Sequence, residues 1–261
     1  MNKKTKFIYS FIAFLTTFFV VLAGFLYYKT KLITEEYKIE HEDTNDQKQD
    51  SDQEVLVTEM VAVSSGDGYV IDVKYPSFSG LDKEVEDNIN QKIEAVVTEK
   101  IDNFIENNLS YEGGTVIGEE NSSLYISYEE PYMNSDVISL LLSFSGFEAG
   151  ATHEYNYFES YNFDRSSGRT IELKDFFRPG SLYLLEVSKV LESELDKYFR
   201  EMDSSYDKNG IKPYDYNFEI FTLTSDGFEF FFNPYQIGSY SLGVVRIVVP
   251  FDKFDGLNSL I

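Results

Sequence analysis

Between Phe7 and Tyr28 the chain runs FIYSFIAFLTTFFVVLAGFLYY without a charged side chain. No other feature limits its folding as strongly, because a segment this apolar has to leave water. As a helix rising 1.5 Å per residue it reaches about 33 Å, against a bilayer core of about 30 Å. Tyr27 and Tyr28 fall where interfacial aromatics gather. Lys3, Lys4 and Lys6 precede the run, and Lys29 and Lys31 are soon followed by Glu35 and Glu36. That lysine balance predicts the N-terminus inside and the remainder outside. A cleavable signal peptide with Val21-Leu22-Ala23 as its small-residue site is the competing reading. The run continues through Gly24, Phe25 and Leu26, which favours a retained anchor. The expected layout is a short cytoplasmic tail over 1–6, one transmembrane helix over 7–28, and an extracytoplasmic remainder at the cell membrane.

Charge then limits what that remainder can do. The chain has 22 Lys+Arg against 45 Asp+Glu, and residues 1–28 hold three Lys and no acid. The part outside therefore carries 19 basic and 45 acidic residues, a net −26. Such a surface lacks the clustered Lys and Arg that nucleic acid needs, and it attracts cationic partners. Zero Cys excludes disulfides, thiolate nucleophiles and Cys-based zinc or iron–sulfur sites. Two His leave little for His metal sites or Ser-His-Asp catalysis. Residues 29–54 include TEEYKIEHEDTNDQKQDSDQE, almost without apolar side chains, and read as a disordered acidic linker.

From residue 55 the pattern becomes that of a packed domain. Residues 55–65 and 69–76 read as two strands around Ser65-Gly66-Asp67-Gly68, with Tyr69, Ile71, Val73 and Tyr75 on one face and Pro76 as the end. Ser79 and Asp82 resemble a capping box. Leu81, Val85, Ile89, Ile93, Val96, Val97, Phe104 and Ile105 then recur at helical spacing, predicting a helix over 81–106. Strands are expected over 124–128, 136–144 and 155–163, with a turn at 164–168 and a return strand over 169–173. A second helix is expected from Ser181 to Arg200 with Leu184, Leu185, Leu191, Leu195 and Tyr198 as its buried stripe. Strands over 218–224, 228–232 and 244–249 follow. The expected fold is α+β, with antiparallel sheets each packed by one long helix, split into subdomains 55–149 and 150–261.

Several motifs in order resemble one family. Gly150-Ala151-Thr152-His153, then Tyr157-Phe158-Glu159-Ser160-Tyr161-Asn162-Phe163-Asp164, then Leu173-Lys174-Asp175-Phe176-Phe177 and Asn233-Pro234-Tyr235-Gln236-Ile237-Gly238-Ser239-Tyr240 are similar to the extracytoplasmic domain of RsiV-type anti-sigma factors and PdaC-type peptidoglycan deacetylases. Upstream, Val73-Lys74-Tyr75-Pro76, Gly80-Leu81 and Ile89-Asn90 resemble its companion domain. The resemblance implies a sensing or binding module of the bacterial envelope that engages lysozyme or faces the cell wall. Neither the appended deacetylase domain nor a cytoplasmic anti-sigma segment is expected here.

The residues themselves suggest recognition more than chemistry. The loop holding Pro234, Tyr235, Gln236, Ile237 and Tyr240 is punctuated by Pro and Gly and lies between strands, where binding loops concentrate. His153 and Tyr155 complete the candidate binding set. No catalytic residue, metal site or cofactor is assigned. Glu119-Glu120 and Glu129-Glu130 are adjacent, and neighbouring strand residues point to opposite faces. Tyr155, Tyr157 and Tyr161 could stack sugars, although such stripes are more often packing. The expected partner is a basic, lysozyme-like protein or peptidoglycan, with no nucleic acid. A peptidoglycan-modifying enzyme and a structural envelope partner are the alternatives.

Overall fold

A computed structural model describes residues 55–66, 68–110, 122–148, 150–258 and 260. The expected transmembrane helix and acidic linker lie outside the described residues. Among those described, no helix is long and apolar enough to cross a membrane. The described residues form one compact unit.

Among the described residues it is mixed α+β, with two sheets and two long helices. Strands β1 (Leu56–Gly66), β2 (Tyr69–Ser79), β3 (Ser122–Tyr128), β4 (Tyr132–Met133), β5 (Val137–Phe147) and β6 (Tyr155–Asp164) form the first sheet. Helix α1 (Lys83–Ser110) connects β2 to β3. Its first turn is capped by Asp82 alone: the Oδ1 accepts from the Glu84 N–H at 3.0 Å, while Ser79 ends β2. The first sheet departs from the antiparallel expectation at one place, since β2 and β3 run parallel, from Tyr69↔Ser122 to Val73↔Ile126. The long crossover through α1 makes this possible, and strand direction leaves no mark on side-chain alternation. β2 also runs three residues past Pro76. There it pairs only with β1, so the missing N–H costs no ladder bond on the β3 side. Beyond that point Asn90 of α1 takes over, its side chain bonding both the N–H (2.8 Å) and the C=O (2.7 Å) of Phe78.

The α1 spacing is realised as read. Val85, Ile89, Ile93, Val97 and Phe104 are buried against Ile71, Val73, Leu124, Ile126 and the inward face of β5. β6 pairs with β5 from Val137↔Asp164 to Gly146↔Tyr155, so the strands flanking residue 150 lie side by side. β5 is buried on both faces. Ile138, Leu140, Leu142 and Phe144 enter the α1 core, whereas Val137 enters a second core.

That second core lies between α2 (Tyr183–Glu201) and an antiparallel sheet of β7 (Phe221–Leu223), β8 (Gly227–Phe232) and β9 (Val245–Pro250). The buried stripe of α2 is Val187, Leu191, Leu195 and Phe199, a strict four-residue series. Leu191 and Leu195 match the expectation. Leu185 is exposed and Leu184 and Tyr198 are only half-buried, because leucines on two faces of this helix gave two candidate stripes. Instead of a return strand over 169–173, Thr170 makes one bridge to Phe163 and Leu173–Phe176 winds into a 3-10 turn.

Asp164 organises the turn after β6. Its Oδ1 accepts from the N–H groups of Ser166 (2.9 Å) and Ser167 (3.0 Å) and from the Ser166 hydroxyl (2.6 Å). Gly168 closes it at φ +69, with its Cα so near the α1 backbone that a Cβ would sit 3.0 Å from the Val85 carbonyl. The Ser166 hydroxyl, followed by the other bonds, holds the Asp164 carboxyl below its ordinary range. A carboxyl depressed in the folded state stabilises fully above its unfolded value and loses that contribution as pH falls through the folded one. Asp164→Asn is therefore expected to lower the denaturant midpoint at pH 7, with the gap to the parent closing as pH falls below about 4.

Candidate functional site

Three of the sequence-selected residues meet at the surface. Asn233, at the end of β8, starts their arrangement: its side chain accepts from the Phe158 N–H at 2.9 Å and donates to the Phe158 carbonyl at 3.1 Å. The chain then turns, with the Gln236 N–H donating to the Asn233 carbonyl at 3.0 Å. Pro234 occupies the second position of this turn and Tyr235, at φ +71, the third. These are the marks of a type II turn, whose third position favours Gly or Asn. A tyrosine there strains the backbone, and its ring is 66% exposed.

Gln236 and Ile237 face inward and fix the loop's other side. The Gln236 amide donates to the carbonyls of Asn217 (2.9 Å) and Gly210 (3.2 Å). Ile237 is buried in the second core, and its carbonyl accepts from the Asp207 N–H at 2.7 Å. These two residues build the loop and leave recognition to others.

Tyr240 returns the chain to Tyr235. Its ring lies 5.9 Å from the Tyr235 ring and stacks on His153 at 4.0 Å and 25°. Its hydroxyl donates to the Glu154 carbonyl at 2.5 Å. The His153 Nδ1 lies 2.8 Å from the same carbonyl. A carbonyl only accepts, so Nδ1 carries the proton, and in the neutral ring Nε2 is left to accept from the Tyr235 hydroxyl at 3.3 Å. The result is a cluster of three rings from segments over 80 residues apart, held by hydrogen bonds along its edges. Such a patch can stack on a guanidinium, an ammonium or the apolar face of a sugar.

Tyr155 is not part of it. It is half-buried on β6, with its ring 6.1 Å from Tyr157 and its hydroxyl 3.4 Å from the Ser123 carbonyl. Burial, followed by Tyr157 and Glu148, pushes its phenol upward. Tyr157 stacks on Phe144 at 5.1 Å beneath the Lys100 ammonium, which bonds Glu159 at 2.6 Å. The Tyr161 hydroxyl donates to the same carboxylate at 2.6 Å. The tyrosine stripe is thus a packed seam against α1.

Among the described residues no group of three His, Cys, Asp or Glu is placed to hold a metal ion. Glu129 is engaged by Arg246, which makes bonds of 2.6 and 2.9 Å to it and of 3.0 and 3.2 Å to Glu229. Sequence reading passed over this bridge from β9 to the end of β3, since nothing in local spacing pairs residues 129 and 246. It also passed over the stacked, exposed pair Tyr214 and Tyr216, whose rings are 5.3 Å apart, and a cleft of about 470 Å³ lined by Asp215 and Tyr183.

Two family models match separate stretches of the chain. Residues 63–153 match the family described as Deacetylase PdaC, and residues 174–252 match the family described as Protein of unknown function (DUF3298). A solved DUF3298-family structure from Bacteroides fragilis superposes with a TM-score of 0.58 at 19% identity, covering 80% of this chain and 95% of that one. Another from Pseudomonas aeruginosa gives 0.51 at 14% identity, covering 78% and 94%. Immunogenic protein MPT64 of Mycobacterium tuberculosis and immunogenic protein MPB64 of Mycobacterium bovis are 26% identical over 109 residues, 42% of this chain. The chain spans about half the length of these curated relatives, 47% of each.

Proposed function

The folded residues carry a domain pair of the PdaC and DUF3298 type, and from that premise we propose that the chain is a membrane-tethered, extracytoplasmic binding module of the bacterial envelope. Its target in this reading is a basic protein such as a lysozyme-like hydrolase, with a cell-wall component as the second candidate. The His153–Tyr235–Tyr240 cluster makes the contact. One observation carries the reading: Tyr235 is held in a left-handed backbone conformation, between pinned neighbours, with its ring outward. Strain retained at an exposed aromatic points to a use for that ring, because glycine would serve the turn better. The formal charge of −23 supports a cationic partner and makes encounter salt-sensitive.

Titrating the purified chain with lysozyme at low and high salt tests this. Binding is expected at low salt and is expected to weaken as salt rises. Tyr235→Gly separates the site from the fold. It should raise stability by about 0.5–1 kcal/mol by relieving the turn, and weaken lysozyme binding by roughly tenfold or more. Binding absent at low salt, or unchanged in Tyr235→Gly, would rule out the cluster as the lysozyme contact.

A further inference from the structure

Strand β1 has the sequence of an interior strand and the position of an edge. It closes the order β1-β2-β3-β5-β4, pairs with β2 through eleven consecutive residues without a bulge, and has no partner on its other side among the described residues. Every residue from Thr58 to Ser65 is exposed. Met60 stands on one face, while Val61 (53% exposed) and Val63 (69%) stand on the other. Apolar side chains on both faces characterise strands covered from both sides and flanked at both edges. Lone edge strands are usually protected by Lys, Pro, a bulge or brevity. β1 has none of these, and its single charge is Glu59 in a chain where 26% of residues are charged.

We infer that β1 is a self-association edge, pairing antiparallel with β1 of a second copy of this chain to continue the sheet across a two-fold axis near Val61. The strand is complementary to itself. With the axis at Val61, Val61 meets Val61, Met60 meets Ala62, Thr58 meets Ser64, and Glu59 meets Val63, so no like charges are opposed. Charge also selects the occupant. A basic partner would find one carboxylate on this strand, whereas two copies of a chain at −23 can approach with least repulsion where charge is sparsest. The surface is separate from the three-ring cluster and independent of its ligand.

Because the chain has no cysteine, single replacements report the pairing without background. In the purified full-length chain, Met60→Cys, Val61→Cys and Ala62→Cys bracket the axis. Leu56→Cys lies far from it along the strand, and Val248→Cys is an exposed site on another sheet. Under mild oxidation at least one central variant is expected to form covalent dimer ten times faster than either control. Sedimentation should show reversible dimers that strengthen with salt, as screening relieves repulsion. Val61→Lys should abolish them while leaving the thermal unfolding midpoint of the monomer in place. Central variants that crosslink no faster than Val248→Cys, a monomer at all concentrations, or association that weakens with salt would each overturn the inference.

Discussion

Replacing Phe228 by alanine is expected to remove about 3–5 kcal/mol of folding stability, a large fraction of what a domain of this kind possesses. Phe228 is fully buried on β8. Its ring lies 5.1–6.4 Å from those of Phe176, Phe177, Phe221, Phe230, Phe251 and Phe254. Truncation leaves a void that six aromatic neighbours on four separate segments cannot close together, so the cavity contribution adds to the lost transfer energy. Chemical denaturation with tyrosine fluorescence measures it. Phe228→Leu should recover more than half of the loss, because it restores most of the volume. A loss under 1 kcal/mol for the alanine variant would mean that the aromatic core tolerates a hole and is less tightly packed than its ring distances imply.

The second large effect is expected from one buried amide. Asn162 on β6 accepts from the Ser139 hydroxyl of β5 at 2.6 Å and donates to the Phe221 carbonyl of β7 at 3.0 Å. Ser139 in turn accepts from the Leu223 N–H at 2.9 Å. A third link is the Ser160 hydroxyl, which accepts from the Phe221 N–H at 2.9 Å. β7 forms no backbone ladder with β5 or β6, and these side chains join it to them. Asn162→Leu keeps the bulk but orphans the Phe221 carbonyl and one valence of Ser139, at a cost of about 2–4 kcal/mol. The double variant Ser139→Ala with Asn162→Leu should lose less than the sum of the single changes, since both belong to one network. Strict additivity in that cycle would contradict a shared network.

Much of this architecture could be read from residue spacing. Val85, Ile89, Ile93 and Val97 name the buried face of α1 because no competing apolar face exists there. On α2, Leu184 and Leu185 sit one position apart near a second series, and only the packing against β9 selects Val187 and Phe199. The Ser160-Tyr161-Asn162 segment was visible as a family mark, but its work was not. A buried Asn in a strand is chemically indistinguishable, in one dimension, from an exposed one. For the candidate site, His153 and the 234–240 loop were each identifiable as chain punctuation rich in rings. That they meet was not legible, since 82 residues separate His153 from Tyr235 and contact follows from how β6 and β8 are joined through Asn233 and Phe158. Gln236 entered the candidate set as a member of that loop, yet carbonyls at Gly210 and Asn217 claim its donors.

The two matched segments meet at a strand that neither could surrender. β5 gives even-numbered side chains to one interior and Val137 to the other, and β6 hangs from it beyond residue 150. A chimera joined at that point, with the front half of one relative grafted to the back half of another, would inherit mismatched sides of a single wall. Recombination between such genes should therefore succeed only when both hairpin strands travel together with what lies on each side, which is a reason for the two modules to be transmitted as a couple.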